Sequence, residues 1–368
     1  MFYLDKLPFF KHFLVLLLLT HLAFTSAPLE ERLLEMLGIP GPPKGRPVFS
    51  RNEVSQYMLE LYAQSERVLG RGVATAVRSY NSLPTSGDML SENRWQFLFS
   101  MTDLTLSEKV VQGHLRVFKP KGTKGRETPY RVSIFHEVDK EDLKGSIGAK
   151  HYYSSPYNSS VALRILDTLT LETRQSHWCS FDIAEAIRFH QERNIETMRL
   201  HVYAMPENAT DILPGSRGIR FVKSRGKQVQ LQPSIVIYTD DGSYDTLRNS
   251  DARLARQSEQ SKYDPSKTYC QRKPLYVDFN RLGWDWIIGP TGFDAYMCQG
   301  DCPFPYSGKL KITNHAYLQS AMGSIHSGVP KPCCAPTALS PITLMYLVNN
   351  GVIMREYKEM KVEECGCA

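Results

Sequence analysis

The residues of this chain best suited to chemistry are its cysteines, because thiolates can bind zinc and pairs of thiols can oxidise to disulfides. Their spacings are C-x₃-C, an adjacent CC pair and C-x-C, without the paired CxxC motifs typical of structural zinc. We therefore predict a disulfide framework and no metal site. The cysteines near the C-terminus are odd in number, so one of them is left for another chain or as a free thiol. Cys179 stands far upstream, and the seven others are Cys270, Cys298, Cys302, Cys333, Cys334, Cys365 and Cys367.

The elements that must position these cysteines are few. Residues 273–279 are predicted to form a strand and residues 342–360 a β-hairpin, whose turn uses the positive φ that Asn350-Gly351 allows. Residues 313–325 are predicted to form a helix capped by Thr313 or Asn314, with an apolar stripe of Leu318, Ala321, Met322 and Ile325. Two hairpins and one helix cannot enclose a large core, so the fold needs covalent crosslinks.

The cysteine spacing suggests how such crosslinks could be arranged. The segments 298–302 and 365–367 each carry two cysteines at an even separation, so in strands both side chains point the same way. Two parallel bridges would then close a ring, with a glycine in each segment leaving space at its middle. Cys270 could thread this ring to one member of the 333–334 pair, and the other would face away. The pairing stays open at this point, since six paired cysteines alone allow about 15 connectivities.

Composition and the N-terminus indicate the compartment. The net charge is +6 with a pI near 8.8, which is too weakly basic to indicate nucleic-acid binding. Lysines precede the apolar run 13–24, and small residues follow it, so residues 1–27 are predicted to be a signal peptide rather than a spanning helix. The protein is expected to be secreted, without membrane insertion. No pattern indicates a catalytic site or a cofactor, and we expect no enzyme.

The upstream region falls into three predicted parts. Residues 28–93 are predicted to hold two amphipathic helices joined by a proline-rich strap, the second helix opening with a capping box at 50–53. Their apolar faces either pack within their own domain or cover an apolar surface elsewhere in the same chain. Residues 94–240 alternate between apolar and polar positions and predict a β-rich domain with one helix. Asn158 and Asn208 lie in N-glycosylation sequons.

A polar linker follows at 241–256 and ends in Arg253-Leu-Ala-Arg256, a sequence of the kind that secretory convertases cleave. A second R-x-x-R at 217–220 runs directly into an apolar stretch that is predicted to be ordered. Cleavage is therefore expected after Arg256, which would release residues 257–368.

The C-terminal sequence resembles a known family. The segments CQRKPLYVDFNRLGWDWIIGPTGFDAYMCQGDCPFP, NHAYLQS, PCCAPT and VEECGCA look like the mature domain of the transforming growth factor-β superfamily, with all seven cysteines in step. YMLELY, AVRSY and SFDIAEAI resemble the prodomain of this family more loosely. Features of bone morphogenetic proteins and of nodal-like members occur together, which leaves the subgroup open.

The resemblance implies a cystine-knot growth factor domain, made of two β-hairpin fingers and one wrist helix, behind an α+β prodomain with two N-terminal amphipathic helices and a β-rich arm. It implies that Cys333 links two protomers. It implies three disulfides within each protomer, which are Cys270–Cys334, Cys298–Cys365 and Cys302–Cys367.

The same resemblance implies a function. A disulfide-linked dimer, homodimeric or heterodimeric, would bring together type I and type II receptor serine/threonine kinases and activate Smad signalling in development. The prodomain, a convertase, extracellular antagonists and a co-receptor are further implied partners. The implied type I wrist comprises Trp284, Trp286, Asn314, Tyr317, Leu318, Ala321 and Met322. The implied type II knuckle comprises Gly289, Pro290, Thr343, Met345 and Met354. The alternative function is a secreted cystine-knot antagonist that sequesters such ligands.

Overall fold

The computed structural model divides the chain into two compact units, Met1–Pro43 and Lys44–Ala368. The predicted signal peptide, the capping box at 50–53, the Arg253 and Arg256 cleavage site and Asn208 lie outside the described residues. No helix in the described part of the chain is long and apolar enough to cross a bilayer. The structure describes residues 29–43, 54–69, 74–83, 89–91, 93–121, 129–144, 152–154, 158–207, 219–222, 229–242, 264, 268–306, 310–349 and 351–368.

The first unit contributes helix α1 (Leu29–Leu37). The chain leaves the helix through Gly38, whose φ of +64° lies in the left-handed region that favours glycine. The backbone N–H of Ile39 then donates to the carbonyl of Leu34 at 2.9 Å, which satisfies one of the last carbonyls of the helix. Leu34 is buried whereas Met36 is exposed, as expected for an amphipathic helix.

The upstream part of the second unit is β-rich, as predicted. Its helices are α2 (Gln56–Ala63), the single turn α3 (Ser65–Val68) and α4 (Ala184–Arg193), and a 3₁₀ turn covers Val229–Leu231. Its strands are β1 (Ala76–Asn81), β2 (Met89–Ser91), β3 (Arg94–Ser100), β4 (Lys109–Lys119), β5 (Tyr130–Asp139), β6 (Tyr153–Ser154), β7 (Val161–Leu171), β8 (His177–Asp182), β9 (Thr197–Pro206) and β10 (Ser234–Asp240).

The downstream part forms two antiparallel fingers and one helix. Its elements are β11 (Gln271–Lys273), β12 (Tyr276–Asp278), β13 (Ile287–Gly289), β14 (Gly292–Asp294), β15 (Met297–Gln299), α5 (Asn314–Gly323), β16 (Cys334–Val348) and β17 (Gly351–Cys367). In the first finger β11 pairs with β15 and β12 with β14, and in the second β16 pairs with β17. Helix α5 is capped by Thr313, whose hydroxyl accepts from the N–H of Ala316 at 3.1 Å.

The two parts share a sheet. A seven-stranded sheet runs in the order β13-β16-β17-β1-β10-β4-β8, so β1 lies between the second finger and the upstream strands. A six-stranded sheet has the order β2-β3-β9-β5-β7-β6, and one apolar cluster packs residues of both sheets together. Alternation is regular in β3, where Trp95, Phe97 and Phe99 point inward.

Two details differ from the sequence prediction. The stretch predicted to hold only helices and a strap also contains β1, whose six residues are all buried. Helix α2 begins after Ser55, whose hydroxyl accepts from the N–H of Met58, so Val54 precedes the helix instead of belonging to it. Both differences arise because tertiary contacts override local periodicity over short segments.

Candidate functional site

The sulfur framework comprises three disulfides within the chain. They are the pairs that the resemblance implies, Cys270–Cys334, Cys298–Cys365 and Cys302–Cys367, with Cα atoms 5.3, 5.6 and 5.9 Å apart. Each closes a loop of 64 to 67 residues, and the loop-closure entropy removed from the unfolded chain is worth about 4 kcal/mol per bridge. Three of the sulfurs lie within 4.8 Å of one another, but all three are in disulfides and hold no thiolate for a metal.

Gly300 shows how closely the segments of the knot approach one another. Its φ is +131°, and a Cβ at this position would lie 2.4 Å from the carbonyl oxygen of Tyr269. The backbone that leads into Cys270 therefore passes directly against Gly300. This agrees with the expectation that the middle glycine of the 298–302 segment leaves space for the third bridge.

Two cysteines in the described part of the chain are free, and their surroundings differ. Cys333 is exposed, and its backbone exchanges two 3.0 Å hydrogen bonds with Ala368, which fixes the segment beside the bridged Cys334. Cys179 is buried on β8, where burial raises the pKa of its thiol to about 11 and Lys119 opposes that shift. Cys333 is therefore available to another chain, whereas Cys179 is an inert core residue.

The residues implied for the type I wrist separate into two environments. Trp284 and Trp286 are buried, with Trp284 stacked on Phe279 at 5.8 Å between ring centroids. On helix α5 the residues Tyr317, Leu318 and Met322 are exposed by 54, 66 and 46%, so a broad apolar face points outward. Asn314 is also exposed and Ala321 half-buried. The residues that α5 buries are Ala316 and Ser320, not the predicted stripe of Leu318, Ala321, Met322 and Ile325.

Three of the residues implied for the type II knuckle, Gly289, Met345 and Met354, lie in one row across the shared sheet. Strand register aligns Gly289 with Met345, Met345 with Met354, Met354 with Val77, and Val77 with Tyr238. The first three belong to the cysteine-rich C-terminal region and the last two to the upstream region. Met345 and Met354 are 1% and 0% exposed. The row thus continues from one part of the chain into the other without a break.

Helix α2 lies over this row and contacts both of its ends. A Cβ on Gly289 would lie 2.9 Å from the ring of Tyr62, and the Tyr62 hydroxyl donates to the carbonyl of Thr343 at 3.5 Å. At the other end the hydroxyls of Tyr57 and Tyr238 are 2.9 Å apart. Four strand spacings amount to about 19 Å, whereas five helical residues rise only about 7.5 Å. The two tyrosine side chains bridge the difference.

Between the two tyrosine contacts, helix α2 packs on an apolar cluster. Met58 is fully buried and packs in one cluster with finger residues. Pro290 and Thr343 are half-buried at the edge of the same surface. Burial also raises the pKa of the Tyr62 hydroxyl, so this ring stays neutral against the finger. The hypothesis that a predicted helix covers an apolar surface elsewhere in the chain is confirmed for α2.

Helix α2 also contacts strand β4 of the shared sheet through a cation–π stack. The guanidinium of Arg116 on β4 lies 3.6 Å from the ring centre of Tyr57 and 5.5 Å from that of Trp178. Such a stack is worth about 0.5–2 kcal/mol, more when it is desolvated. Arg116 thereby holds the helix against the same sheet whose other strands carry the fingers.

A buried polar group joins β1 to β10 and to the residue that precedes β4. The two terminal guanidinium nitrogens of Arg78 donate to the carboxylate of Glu108 at 2.5 and 2.6 Å, and one of them also donates to the Thr239 hydroxyl at 2.7 Å. Burial by itself lowers the pKa of Arg78, but Tyr80 and Glu108 raise it on balance, so its charge is retained. Removing one partner of an ion pair that is buried this completely is strongly destabilising, because the other charge is left buried and unpaired.

Sequence reasoning missed a histidine pair in the arm domain. The Nε2 atoms of His136 and His190 are 2.8 Å apart, His136 Nδ1 lies 2.7 Å from the Tyr152 hydroxyl, and His190 Nδ1 donates to the carbonyl of Ile195 at 3.1 Å. Burial, with His190 and Arg164 nearby, holds the pKa of His136 well below its ordinary value. Burial also lowers the pKa of His190, so both rings are neutral in the folded arm. The two residues are 54 positions apart, and no local pattern links them.

Comparison with family models agrees with this organisation. Residues 25–238 match the TGF-beta propeptide, and residues 269–367 match the transforming growth factor beta like domain. The fold and the knot thus define the class of protein, a disulfide-knotted growth factor that is folded together with its propeptide.

Individual relatives narrow the assignment. The chain is 31% identical to bone morphogenetic protein 2 of Tetraodon nigroviridis, covering 92% of this chain and 88% of that protein. It is 30% identical to bone morphogenetic protein 4 of Mus musculus, covering 92% and 86%. The chain belongs to the transforming growth factor-β superfamily. It is a growth factor precursor similar to bone morphogenetic proteins, and not an enzyme.

Proposed function

We propose that this chain is a secreted precursor whose C-terminal part signals as a dimer. Residues 1–27 would direct secretion, and a convertase would cut after Arg256. Cys333 would then join residues 257–368 to a second copy. The dimer would hold type I and type II receptor serine/threonine kinases together and activate Smad proteins. Binding of two receptor pairs by one rigid dimer would add avidity to modest single contacts.

The observation that carries this proposal is the covered row of knuckle residues. An apolar surface on a rigid hairpin suits receptor binding, and in the precursor helix α2 of the propeptide covers it while β1 pairs with the edge of β17 beside it. We infer that α2 and a type II receptor compete for Gly289, Met345 and Met354. The propeptide would therefore have to leave before the type II receptor binds.

The exposed face of α5 supports the dimeric half of the proposal. Exposed apolar side chains on one helix are an expected feature of a surface that a partner buries. We propose that this face packs on a second copy and completes the type I wrist there. Cys333 is exposed, as a disulfide between copies would require.

Glycosylation of the propeptide fits the same secretory route. Asn158 is exposed, and its Oδ1 accepts from the N–H and the hydroxyl of Ser160, the third residue of the sequon, at 3.0 and 2.7 Å. We propose that Asn158 carries a glycan, as does Asn208.

The test uses three forms of the secreted protein, which are the cleaved dimer, an Arg256→Ala chain that cannot be cut, and a Cys333→Ser variant. Binding is measured against a panel of type I and type II receptor ectodomains, and Smad phosphorylation is followed in responsive cells. We expect the cleaved dimer to bind and signal, the uncut chain to bind type II receptors poorly, and the Cys333→Ser protein to lose covalent dimers.

A cleaved protein that only lowers the signal of another factor would indicate the antagonist instead. The receptor panel also decides the Smad branch. A requirement for a co-receptor would favour the nodal-like subgroup over the bone morphogenetic protein subgroup.

A further inference from the structure

Gly351 lies at the start of β17, where the strand meets the propeptide. The sequence predicts a positive φ for this glycine in the hairpin turn, but its φ does not lie in the left-handed region, and the contacts around it indicate a different role. A Cβ at this position would lie 1.9 Å from the carbonyl oxygen of Ser79 and 3.2 Å from the Cα of Tyr80. Both atoms belong to the backbone of β1, in the propeptide.

A clash of this kind cannot be relieved by rotating a side chain. Real Cβ atoms essentially never come within 3.0 Å of another heavy atom, so the β1 backbone would have to retreat by about 1 Å. Strand β1 has little freedom to do so, since its six residues are buried and its other edge is paired with β10. Glycine within a strand commonly marks such a close approach of another backbone.

The origin of the crowding separates Gly351 from the other glycines of the growth factor region. At Gly300 the nearest atoms belong to Tyr269 and Cys270, and at Gly366 to Lys311 and Thr337, all within that region. At Gly289 the nearest atoms belong to the Tyr62 side chain, which can move. Among the glycines whose surroundings the structure describes, Gly351 is the growth factor glycine that propeptide backbone closes off.

We propose that Gly351 is a specificity-determining residue for propeptide association, because a position without Cβ lets the backbone of Ala76–Asn81 pair with the edge of β17. Binding at this edge is then recognition of a strand by a strand, in which the backbone supplies the hydrogen bonds. The inference rests on the proposed shielding role of the propeptide. It adds that the shield is a strand pairing as well as a docked helix.

The geometry predicts which amides report the pairing. Because Ser79 directs its carbonyl toward β17, its partner Val352 should direct its own N–H toward β1, and so should Met354 two residues along. The N–H of Ile353, between them, should face β16 instead. Exchange at Val352 and Met354 therefore measures the seam between propeptide and finger, and exchange at Ile353 measures the finger hairpin.

The experiment compares the full uncleaved chain with its Gly351→Ala and Gly328→Ala variants. Gly328 is a matched control in the same region, because it is exposed and a Cβ there has no atom within 4 Å. Residue-resolved hydrogen exchange should show at least tenfold faster exchange at Val352 and Met354 in Gly351→Ala. Exchange at Ile353 should stay within twofold of the original chain, and Gly328→Ala should match that chain throughout. After convertase cleavage, less propeptide should co-elute with the Gly351→Ala growth factor.

Three results would overturn the proposal. Unchanged exchange at Val352 and Met354 would mean that the seam tolerates a Cβ. Faster exchange at Ile353 as well would mean that Gly351 supports the hairpin itself. The exchange measurements are made on disulfide-bonded chain, recovered either from the medium or from cells. If the Gly351→Ala chain lacks the three disulfides in both fractions, that result also counts against the proposal.

Receptor binding by the cleaved Gly351→Ala dimer is measured separately. It should equal that of the unsubstituted dimer. If neither dimer binds a receptor, the proposed function fails while the exchange result still decides the role of Gly351.

Discussion

Replacing Met58 by alanine should loosen the cover over the fingers without altering the growth factor region itself. Met58 is fully buried at the centre of α2, in the cluster that contains Met345 and Met354. Truncating a buried methionine to alanine costs about 2–5 kcal/mol. Because α2 has only eight residues, it is not stable as an isolated helix, and a weakened contact should undock and unfold it as a unit. A loss of about 3 kcal/mol raises the open population roughly 150-fold.

The assay exploits the two methionines under the cover. In the uncleaved chain, the peroxide oxidation rates of Met345 and Met354 are measured by mass spectrometry beside amide exchange across Gln56–Ala63. Leu59→Ala is the matched control, since Leu59 lies on the same helix but is 44% exposed. We expect both readouts to accelerate strongly in Met58→Ala and to change less than about twofold in Leu59→Ala.

Two outcomes would refute this reasoning. If α2 amides exchange faster while Met345 and Met354 oxidise at their original rates, the helix does not shield them. If Leu59→Ala has the same effect as Met58→Ala, then the burial of Met58 is not what holds the helix in place.

Three further predictions concern the rest of the chain. Burial holds the pKa of His136 below its unfolded value of about 6.5, so this neutral ring stabilises the arm above that pH and the stabilisation is lost on acidification. The thermal midpoint should fall from pH 7 to 5, and less so in His136→Phe; an equal fall in both would contradict this account. Arg78→Ala should lower the free energy of unfolding, measured with denaturant, by about 3–5 kcal/mol, because it leaves Glu108 buried and unpaired. The double variant Arg78→Met with Glu108→Leu should recover most of this loss. A cost of Arg78→Ala below about 1 kcal/mol would show that the pair is unimportant for stability. Iodoacetamide at pH 8 should leave Cys179 unmodified in the folded chain, since its pKa is about 11. In a control chain that keeps its three internal disulfides and has only the bond between protomers reduced, mass spectra should show Cys333 alkylated.

The sequence by itself was informative wherever the signal is local. The hairpin of β16 and β17, the cap of α5 at Thr313 and the β-rich arm each follow from a cap, a turn or an alternation within about twenty residues. The crowding of seven cysteines near the C-terminus likewise indicated a covalent framework before any pairing was known. These signals are physical constraints on neighbouring residues, so a single sequence is enough to detect them.

The roles of single residues were harder to predict. The knuckle residues Met345 and Met354 could be named through the resemblance, but their burial under α2 could not. Arg78 was not recognised as a buried charge, since its partner Glu108 lies 30 residues away. The pairing of His136 with His190 was missed for the same reason, because the two residues are far apart in the sequence.

The tertiary structure decided what β1 does. The residues Ala76–Asn81 have no pattern that marks them as the strand between propeptide and finger, and their partner Gly351–Arg355 lies more than 250 positions along the chain. Backbone hydrogen bonds carry almost no information about side-chain identity, so such a pairing leaves little trace in the sequence. It forms because two strand edges with unpaired N–H and C=O groups are held side by side in the folded chain, and pairing is how those groups are satisfied when water is excluded.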